Sequence, residues 1–380
     1  MKLLTELITI DRNAGQPVYL QITNAFIQNI RRGRLRKGLK LPGSRRVADL
    51  LNVNRMTVIT AFDELQSQGW IETVPRKGTF VKHSLPDITP QKIHQEKNLR
   101  SYPGQTSFSI DKKKMVSFPI SESRGADKLI INDGFPDVRL APIDELITTM
   151  KRLSKQPVFR KYLRYGSSKG TDIFRSTLSD YLKDTRGIPA SLENIFVTRG
   201  AQMAINLAAK LLIEPGDHVI VGEPSYFGAS ITFKQNGGIL NRVQVDEQGM
   251  DVDRVEKLCR TKKIRLVYVI PHHQHPTTVT MPPERRLKLL KLAEEYKFAI
   301  IEDDYDYDFH YASSPMLPMA SLDEHGSVIY IGTLTKTFAP AVRVGFMVAP
   351  ENFINFAAGL RRTMDWQGDP LMEVALLELY

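Results

Sequence analysis

The stretch Val328-Ile329-Tyr330-Ile331-Gly332-Thr333-Leu334-Thr335-Lys336-Thr337 decides the fold of the larger part of the chain. Its β-branched and aromatic residues predict a buried strand over 328–331, and Gly332 ends that strand in a turn of small residues. A lysine amine held after a strand can form a Schiff base with an aldehyde. Lys336 is therefore the candidate attachment point for an aldehyde cofactor.

The segment around this strand alternates between strands and helices. Other predicted strands lie near 195–197, 218–221, 264–269 and 299–301. Such alternation predicts a mostly parallel α/β sheet, and ligands of open α/β sheets bind beyond the carboxyl ends of the strands. We therefore expect the site to consist of residues that follow strand ends.

Groups that suit a phosphate follow two of these strands. Gly200-Ala201-Gln202 opens a helix after the strand at 195–197, and helix N-termini bind phosphate. Thr333 and Thr335 place hydroxyls beside the lysine, and Arg343 adds a guanidinium further along the chain. The predicted phosphate-binding residues are Ala201, Gln202, Thr333, Thr335 and Arg343.

Three more residues suit an aromatic ring with a protonated nitrogen. Asp303, in Glu302-Asp303-Asp304-Tyr305, can hold the proton of the ring nitrogen, and Tyr305 can donate to a phenolic oxygen. Tyr226, just after the strand at 218–221, can stack on the ring. Pyridoxal 5'-phosphate carries an aldehyde, a phosphate, a pyridine nitrogen and a phenolic oxygen. The residues therefore predict pyridoxal 5'-phosphate as the cofactor.

The first 82 residues predict three helices and a hairpin. The predicted helices cover 17–33, 45–51 and 55–68, and the predicted strands cover 70–74 and 79–81. Ser44 is the predicted N-cap of the second helix. This order of elements is that of a winged helix-turn-helix.

Positive charge is concentrated in the same segment. Residues 1–82 contain 14 Lys and Arg against six Asp and Glu, so they hold +8 of the formal charge of +10. A basic surface attracts nucleic-acid phosphates, although a solvated basic face has the same composition. Arg55 and Thr57, at the start of the third helix, are predicted to contact base edges. The predicted phosphate contacts are Arg45, Arg46, Arg76 and Lys77.

Two families resemble these two parts of the chain. Leu41-Pro42-Gly43-Ser44-Arg45-Arg46-Val47-Ala48 and Asn54-Arg55-Met56-Thr57-Val58 resemble the GntR-type winged helix, and the residues around Lys336 resemble fold-type I aminotransferases. Their combination resembles the MocR subfamily of transcription regulators. The resemblance implies a cofactor bound through Lys336, double-stranded operator DNA, and a head-to-tail homodimer in which Tyr165 reaches the partner's phosphate. It also allows a small amine or amino acid as effector.

The segment Ile270-Pro271-His272-His273-Gln274-His275-Pro276-Thr277-Thr278 departs from the family pattern. His275 stands where enzymes of this fold have an asparagine that touches the phenolic oxygen, and an imidazole can substitute for it. Thr278 stands where the family has glycine. Both departures weaken the case for efficient catalysis. His272 and His273 lack carboxylate or cysteine partners at ligand spacing, so we expect a loop surface and no metal site.

We predict a winged-helix domain over 1–82, a linker over 83–127 and an aminotransferase-like domain over 128–380. The chain stops at Tyr380 inside a predicted amphipathic helix. The family resemblance implies a further small domain, which supplies an arginine for a substrate carboxylate. We therefore expect that small C-terminal domain to be missing, as in a fragment or a truncated gene.

Composition excludes several classes of protein. No apolar run approaches the ~20 residues that a membrane-spanning helix needs, and the N-terminus lacks a signal pattern. Cys259 is the only cysteine, which excludes an internal disulfide and a cysteine-rich metal site. We expect a cytoplasmic protein with no membrane role.

Three functions remain open on the sequence alone. The first is a DNA-binding regulator that uses pyridoxal phosphate as cofactor or effector, with any enzymatic activity residual. The second is an aminotransferase with an appended winged helix, which would share Lys336, Asp303 and Tyr226. The third is a protein that binds DNA but no cofactor.

Overall fold

The computed structural model describes residues 7–85, 104–111, 136–309 and 316–379. The chain forms two compact units, Met1–Lys112 and Lys113–Tyr380. Most of the predicted linker over 83–127 lies outside the described residues.

The N-terminal unit has the predicted order of elements. It contains α1 (Val18–Arg31), α2 (Ser44–Leu51), α3 (Arg55–Ser67) and the antiparallel hairpin of β1 (Ile71–Val74) and β2 (Gly78–Val81). The helices bury one apolar core, in which the rings of Phe26 and Phe62 meet edge to face at 5.7 Å. Val58, Phe62 and Leu65 of α3 belong to this core, whereas Arg55 at the start of the helix is exposed.

The predicted N-cap of α2 was wrong by one residue. Gly43 is the N-cap, in an extended conformation, and Ser44 is the first helical residue. The first hydrogen bond of the helix runs from Val47 N–H to the Gly43 carbonyl, at 3.0 Å. The helix therefore begins after the extended residue Gly43, and no side chain caps its first N–H groups.

The C-terminal unit alternates helices and strands, as predicted. Its helices are α4 (Ile143–Ser154), α5 (Asp172–Arg186), α6 (Ala201–Leu212), α7 (Phe227–Gln235), α8 (Val252–Thr261), α9 (Pro283–Tyr296), α10 (Glu351–Arg362) and α11 (Pro370–Leu377). Its strands are β3 (Ile195–Thr198), β4 (His218–Glu223), β5 (Ile239–Asp246), β6 (Gly249–Met250), β7 (Ile264–Val269), β8 (Ala299–Asp304), β9 (Val328–Thr333) and β10 (Gly345–Val348).

These strands form one mixed sheet in the order β3-β10-β9-β8-β7-β4-β5-β6. The run from β9 to β5 is parallel, whereas β10 pairs antiparallel with both β3 and β9. β10 is antiparallel because the segment 334–344 returns the chain directly beside β9 without a crossover helix. That connection carries Lys336 and Arg343.

Apolar side chains cover both faces of the sheet. Alternate residues of the central strands face opposite ways, so Ile300 belongs to one core and Ile301 to the other. Helices α4, α5, α8, α9 and α11 pack on the first face, and α6, α7 and α10 on the second. The mostly parallel α/β fold is therefore confirmed.

Helices long and apolar enough to cross a membrane are absent from the residues that the structure describes.

Candidate functional site

The predicted cofactor residues lie at the carboxyl ends of neighbouring strands. In the sheet register, Glu302 pairs with Val269 of β7, and Asp303 pairs with Ile331 of β9, so these strands end at nearly the same level. A cavity of about 700 Å³ opens at this edge. Its lining residues are Pro136, Asp137, Leu140, Ala141, His275, Pro276, Thr278, Tyr305, Asp306, Phe309, Lys336, Thr337 and Phe338.

Lys336 lies in the wall of this cavity, in the turn that follows β9. Its Nζ is 5.9 Å from the ring centre of Tyr305. The hydroxyls of Thr333 and Thr335 lie 2.8 Å apart, and the Thr333 hydroxyl also accepts the N–H of Thr335 at 3.2 Å. Hydrogen bonds between the two threonines therefore stabilise the turn that precedes the lysine.

Arg343, Gly200 and the start of α6 meet on the other side of that turn. Gly200 has φ of +77°, and a Cβ there would lie 2.6 Å from Nη2 of Arg343. Glycine suits this position because its φ is positive, whereas a Cβ would require the end of the Arg343 side chain to shift. Arg343 Nη2 donates to the Arg199 carbonyl at 2.9 Å. A guanidinium and the N-terminus of a helix thus lie together, the two features that the sequence predicted for a phosphate.

Tyr226 is tied to the same helix. Its hydroxyl donates to Oε1 of Gln202 at 3.1 Å, and the Gln202 amide donates to Thr232 at 2.8 Å. The Tyr226 ring meets the His275 ring edge to face at 5.9 Å. Gln202 thus orients the tyrosine, a role that no pattern in the sequence indicates.

Asp303 offers a buried acceptor. Its side chain accepts the hydroxyl of Tyr268 on Oδ2 at 2.6 Å, and Oδ1 has no hydrogen-bond partner among the described residues. Burial raises the pKa of Asp303 to about 7, although the hydrogen bond from Tyr268 opposes the shift. A buried oxygen with no partner costs free energy, and a protonated ring nitrogen would satisfy it.

Asp304, the next residue, is held by neighbours inside the protein, although its Oδ1, like that of Asp303, makes no hydrogen bond among the described residues. Tyr330 donates to its Oδ2 at 2.7 Å, and Nδ1 of His272 lies 3.4 Å from its Oδ1. Burial alone would raise the pKa of Asp304, but the nearby His272 and the charge of Arg186 lower it overall. Asp304 therefore belongs to the support of the strand end and not to the cavity.

The expectation that both histidines form a loop surface was wrong for His272. Its side chain is buried, and its Nε2 lies 2.5 Å from the carbonyl of Met316. His273 is half-buried, with Nδ1 2.9 Å from Asp306. These partners come from segments far along the chain, so spacing in the sequence could not identify them.

The hydroxyl of Tyr305 already has an acceptor in this chain. It donates to the His273 carbonyl at 3.0 Å, so the proton predicted for a phenolic oxygen is directed to the backbone. Thr278, which stands where the family has glycine, has a φ of +63°. A β-branched residue is strained in that backbone conformation, whereas glycine adopts it freely.

Tyr165 does not line the cavity. It is 84% exposed, and its ring lies 5.7 Å from that of Trp366. The N–H of Gly166 donates to Oε1 of Gln367 at 2.5 Å, which holds the two aromatic residues near each other. Its predicted contact with a partner's phosphate stays a prediction.

The predicted DNA contacts lie on the surface of the N-terminal unit. Asn54 caps α3, since its side chain accepts the N–H of Met56 at 2.8 Å, and this places Arg55 and Thr57 in the first turn. Thr57 is half-buried. The exposed residues of the predicted set are Arg45, Arg46, Arg55, Arg76 and Lys77.

Comparison with known proteins matches both units. Residues 129–369 match the family model of class I and II aminotransferases, and residues 18–81 match that of the gntR family of bacterial regulatory proteins. A probable rhizopine catabolism regulatory protein, MocR of Rhizobium meliloti, is 29% identical over 95% of this chain and 71% of its own length. TauR of Rhodobacter capsulatus, an HTH-type transcriptional regulator, is 28% identical over 89% of this chain and 68% of its own length.

Solved aminotransferases share the fold of the C-terminal unit. The kynurenine aminotransferase of Pyrococcus horikoshii, solved with PMP, has 32% identity and a TM-score of 0.60 over 64% of this chain. The α-aminoadipate aminotransferase LysN of Thermus thermophilus, solved with a phosphopyridoxyl-leucine, has 26% identity and a TM-score of 0.61 over 65% of this chain. The chain spans 61% and 62% of the lengths of these two structures.

Replacing Asp303 with asparagine tests the cost of this buried carboxyl. Because its pKa rises from 3.8 to about 7, the folded protein holds a proton that the unfolded chain has released, and the free energy of unfolding falls as pH rises through that window. Asp303→Asn has no charge to bury. We expect its free energy of unfolding to exceed that of the wild type by about 4 kcal/mol at about pH 8, with no gain at about pH 4, in urea titrations without cofactor.

Asp246→Asn is the control of opposite sign. Its carboxylate accepts two hydrogen bonds from Arg285 at 2.7 Å, which lower the pKa of Asp246, so losing this charge destabilises the protein at about pH 8. A pH dependence in Asp303→Asn equal to that of the wild type would contradict the raised pKa.

Proposed function

The chain belongs to the class I and II aminotransferase family and, through its gntR-type winged helix, to the MocR-type regulators; on that premise, we propose that it is a transcription regulator that binds operator DNA and holds pyridoxal 5'-phosphate through Lys336. The observation that carries the proposal is Oδ1 of Asp303, which is buried and has no hydrogen-bond partner among the described residues. It lies at the end of β8, next to β9, the strand that leads to Lys336, in a chain that also has a basic winged helix.

Pyridoxal phosphate, when bound, supplies an aldehyde that links covalently to amines and a ring that withdraws electrons. Lys336 is the amine in the cavity wall that would hold it. Asp303 would accept the ring N–H on its open oxygen, and Tyr226 and His275 would contact the ring. The residues proposed to bind the phosphate are Ala201, Gln202, Thr333, Thr335 and Arg343.

A small amine or amino acid is the effector that this chemistry favours. Pyridoxal phosphate would supply an aldehyde that reacts with amines, and Lys336 would hold it in the wall of a cavity of about 700 Å³. Such an effector would bind in this cavity without needing turnover. The effect of its binding on DNA affinity is the regulatory step that we propose.

A second copy of the chain completes the proposed site. Tyr165 is 84% exposed and held beside Trp366, so its hydroxyl is available to another subunit. We propose a head-to-tail homodimer in which this tyrosine reaches the partner's phosphate.

In the N-terminal unit, charge and position divide the DNA contacts into two kinds. The phosphate contacts are proposed to be Arg45, Arg46, Arg76 and Lys77, which set affinity but not sequence preference. Arg55 and Thr57, at the start of α3, are proposed to read base edges in the major groove.

Aminotransferase activity is the second candidate, because the solved relatives of the C-terminal unit are enzymes that share its fold. Transfer of an amino group to a keto acid at ~1–1000 per second would favour it over regulation. The strained Thr278 and the donation of Tyr305 to the backbone favour the regulator.

Lys336→Ala tests the attachment of the cofactor. We expect wild-type protein supplied with pyridoxal phosphate to develop a visible absorbance band that Lys336→Ala lacks, because the variant has no amine at this place. Lys291→Ala, on the exposed surface of α9, is the matched control and should keep the band. Absence of the band from the wild type would rule out the cofactor proposal.

Single alanine variants separate the two kinds of DNA contact. Arg55→Ala should weaken binding to a selected operator by about 10–100-fold and reduce discrimination against random DNA, because it removes a base contact. Lys77→Ala should weaken operator and random DNA alike and reduce the slope of log affinity against log salt by about one. Fluorescence anisotropy at several salt concentrations measures both. An unchanged ratio of operator to random affinity in Arg55→Ala would exclude its base-reading role.

A further inference from the structure

Met56 is the most exposed apolar residue of α3. It is 63% exposed, whereas Val58, Phe62 and Leu65 of the same helix are buried. Within α1 to α3, all of whose residues the structure describes, it is the one large hydrophobic side chain with such exposure. The fold of the unit therefore does not account for a methionine at this position.

The backbone of Met56 is held firmly. Its N–H donates to the side chain of Asn54 at 2.8 Å, and its carbonyl accepts the hydroxyl of Thr60 at 3.0 Å. These bonds fix the residue in the first turn of α3, between Arg55 and Thr57. Its long thioether side chain thus leaves the helix at the end that is proposed to meet base edges.

Charge along α3 indicates which end can approach a polyanion. The first turn carries Arg55 and no acidic residue. The acidic residues Asp63 and Glu64 lie two turns further on. Phosphates would repel these carboxylates, so the end that carries Met56 is the favoured end for contact with DNA.

The chemistry of methionine limits what it can read there. A thioether has no N–H or O–H to donate and is only a weak acceptor, so it cannot match the polar edges of guanine, adenine or cytosine. The one apolar group that the four bases present in the major groove is the 5-methyl of thymine. Burial of that methyl against Met56 would remove apolar surface of both partners from water.

We propose that Met56 packs on the 5-methyl group of a thymine in each half of the operator and so determines sequence preference there. This inference rests on the proposed function, since it needs the winged helix to bind DNA. It adds to Arg55 and Thr57 a contact that depends on shape and not on hydrogen bonds.

Replacement of single thymines by uracil tests the proposal without altering the protein. The full chain is used to select a duplex from a random pool, and each thymine of that site is then replaced in turn by uracil, which lacks only the methyl. We expect about four-fold weaker binding at one thymine of each half-site, the effect of one buried methyl, and no change at the others. No uracil penalty at any position would overturn the proposal.

Variants of Met56 assign the effect to this residue. Met56→Ala should bind the thymine and uracil forms equally, whereas Met56→Leu should keep most of the discrimination because it remains apolar and long. Leu39→Ala, which alters another exposed apolar side chain of the unit, is the control and should discriminate like the wild type.

The possible failures are distinguishable. A full chain that selects no duplex would refute the proposed function, and this inference with it. Selective binding with the same uracil penalty in Met56→Ala and wild type would refute the inference alone and leave the regulator intact.

Discussion

Three consecutive carboxyl groups, Glu302-Asp303-Asp304, are buried at the end of one strand, and the arrangement of the C-terminal unit depends on satisfying them. A buried charge without partners is too costly to keep. The Glu302 carboxylate therefore accepts the N–H groups of Met319 and Ala320 at 2.8 Å, although burial still raises its pKa to about 7. Asp304 takes a hydrogen bond from Tyr330, which Arg186 contacts in turn.

The middle carboxyl of this run has the fewest partners. Among the described residues, Asp303 has only Tyr268 as hydrogen-bond partner, on one oxygen. Oδ1 of Asp304 also makes no hydrogen bond, but Nδ1 of His272 lies 3.4 Å from it. The second oxygen of Asp303 has no hydrogen-bond donor among the described residues. A buried carboxyl of this kind is destabilising by itself, and strongly perturbed pKa values cluster at functional sites. The winged helix of the N-terminal unit holds most of the net charge of the chain.

Local sequence pattern predicted where the candidate residues lie relative to the strands. Gly200 and Lys336 each follow a strand, and Asp303 lies at the end of one. The pattern missed contacts made between distant segments. β8 extends to Asp304, three residues past its predicted end, because partners from other strands let charged residues remain in a buried strand. The burial of His272 depends likewise on Asp304 and Met316. Residue spacing cannot show such pairings before the fold brings them together.

We expect the state of the proposed cofactor site to affect how this chain binds DNA. The decisive measurement is a footprint of the full chain on the DNA upstream of its own gene, with and without pyridoxal phosphate. We expect a protected site whose extent or half-saturation changes when the cofactor is added. Identical protection in both conditions, or no protected site at all, would refute the proposed regulation.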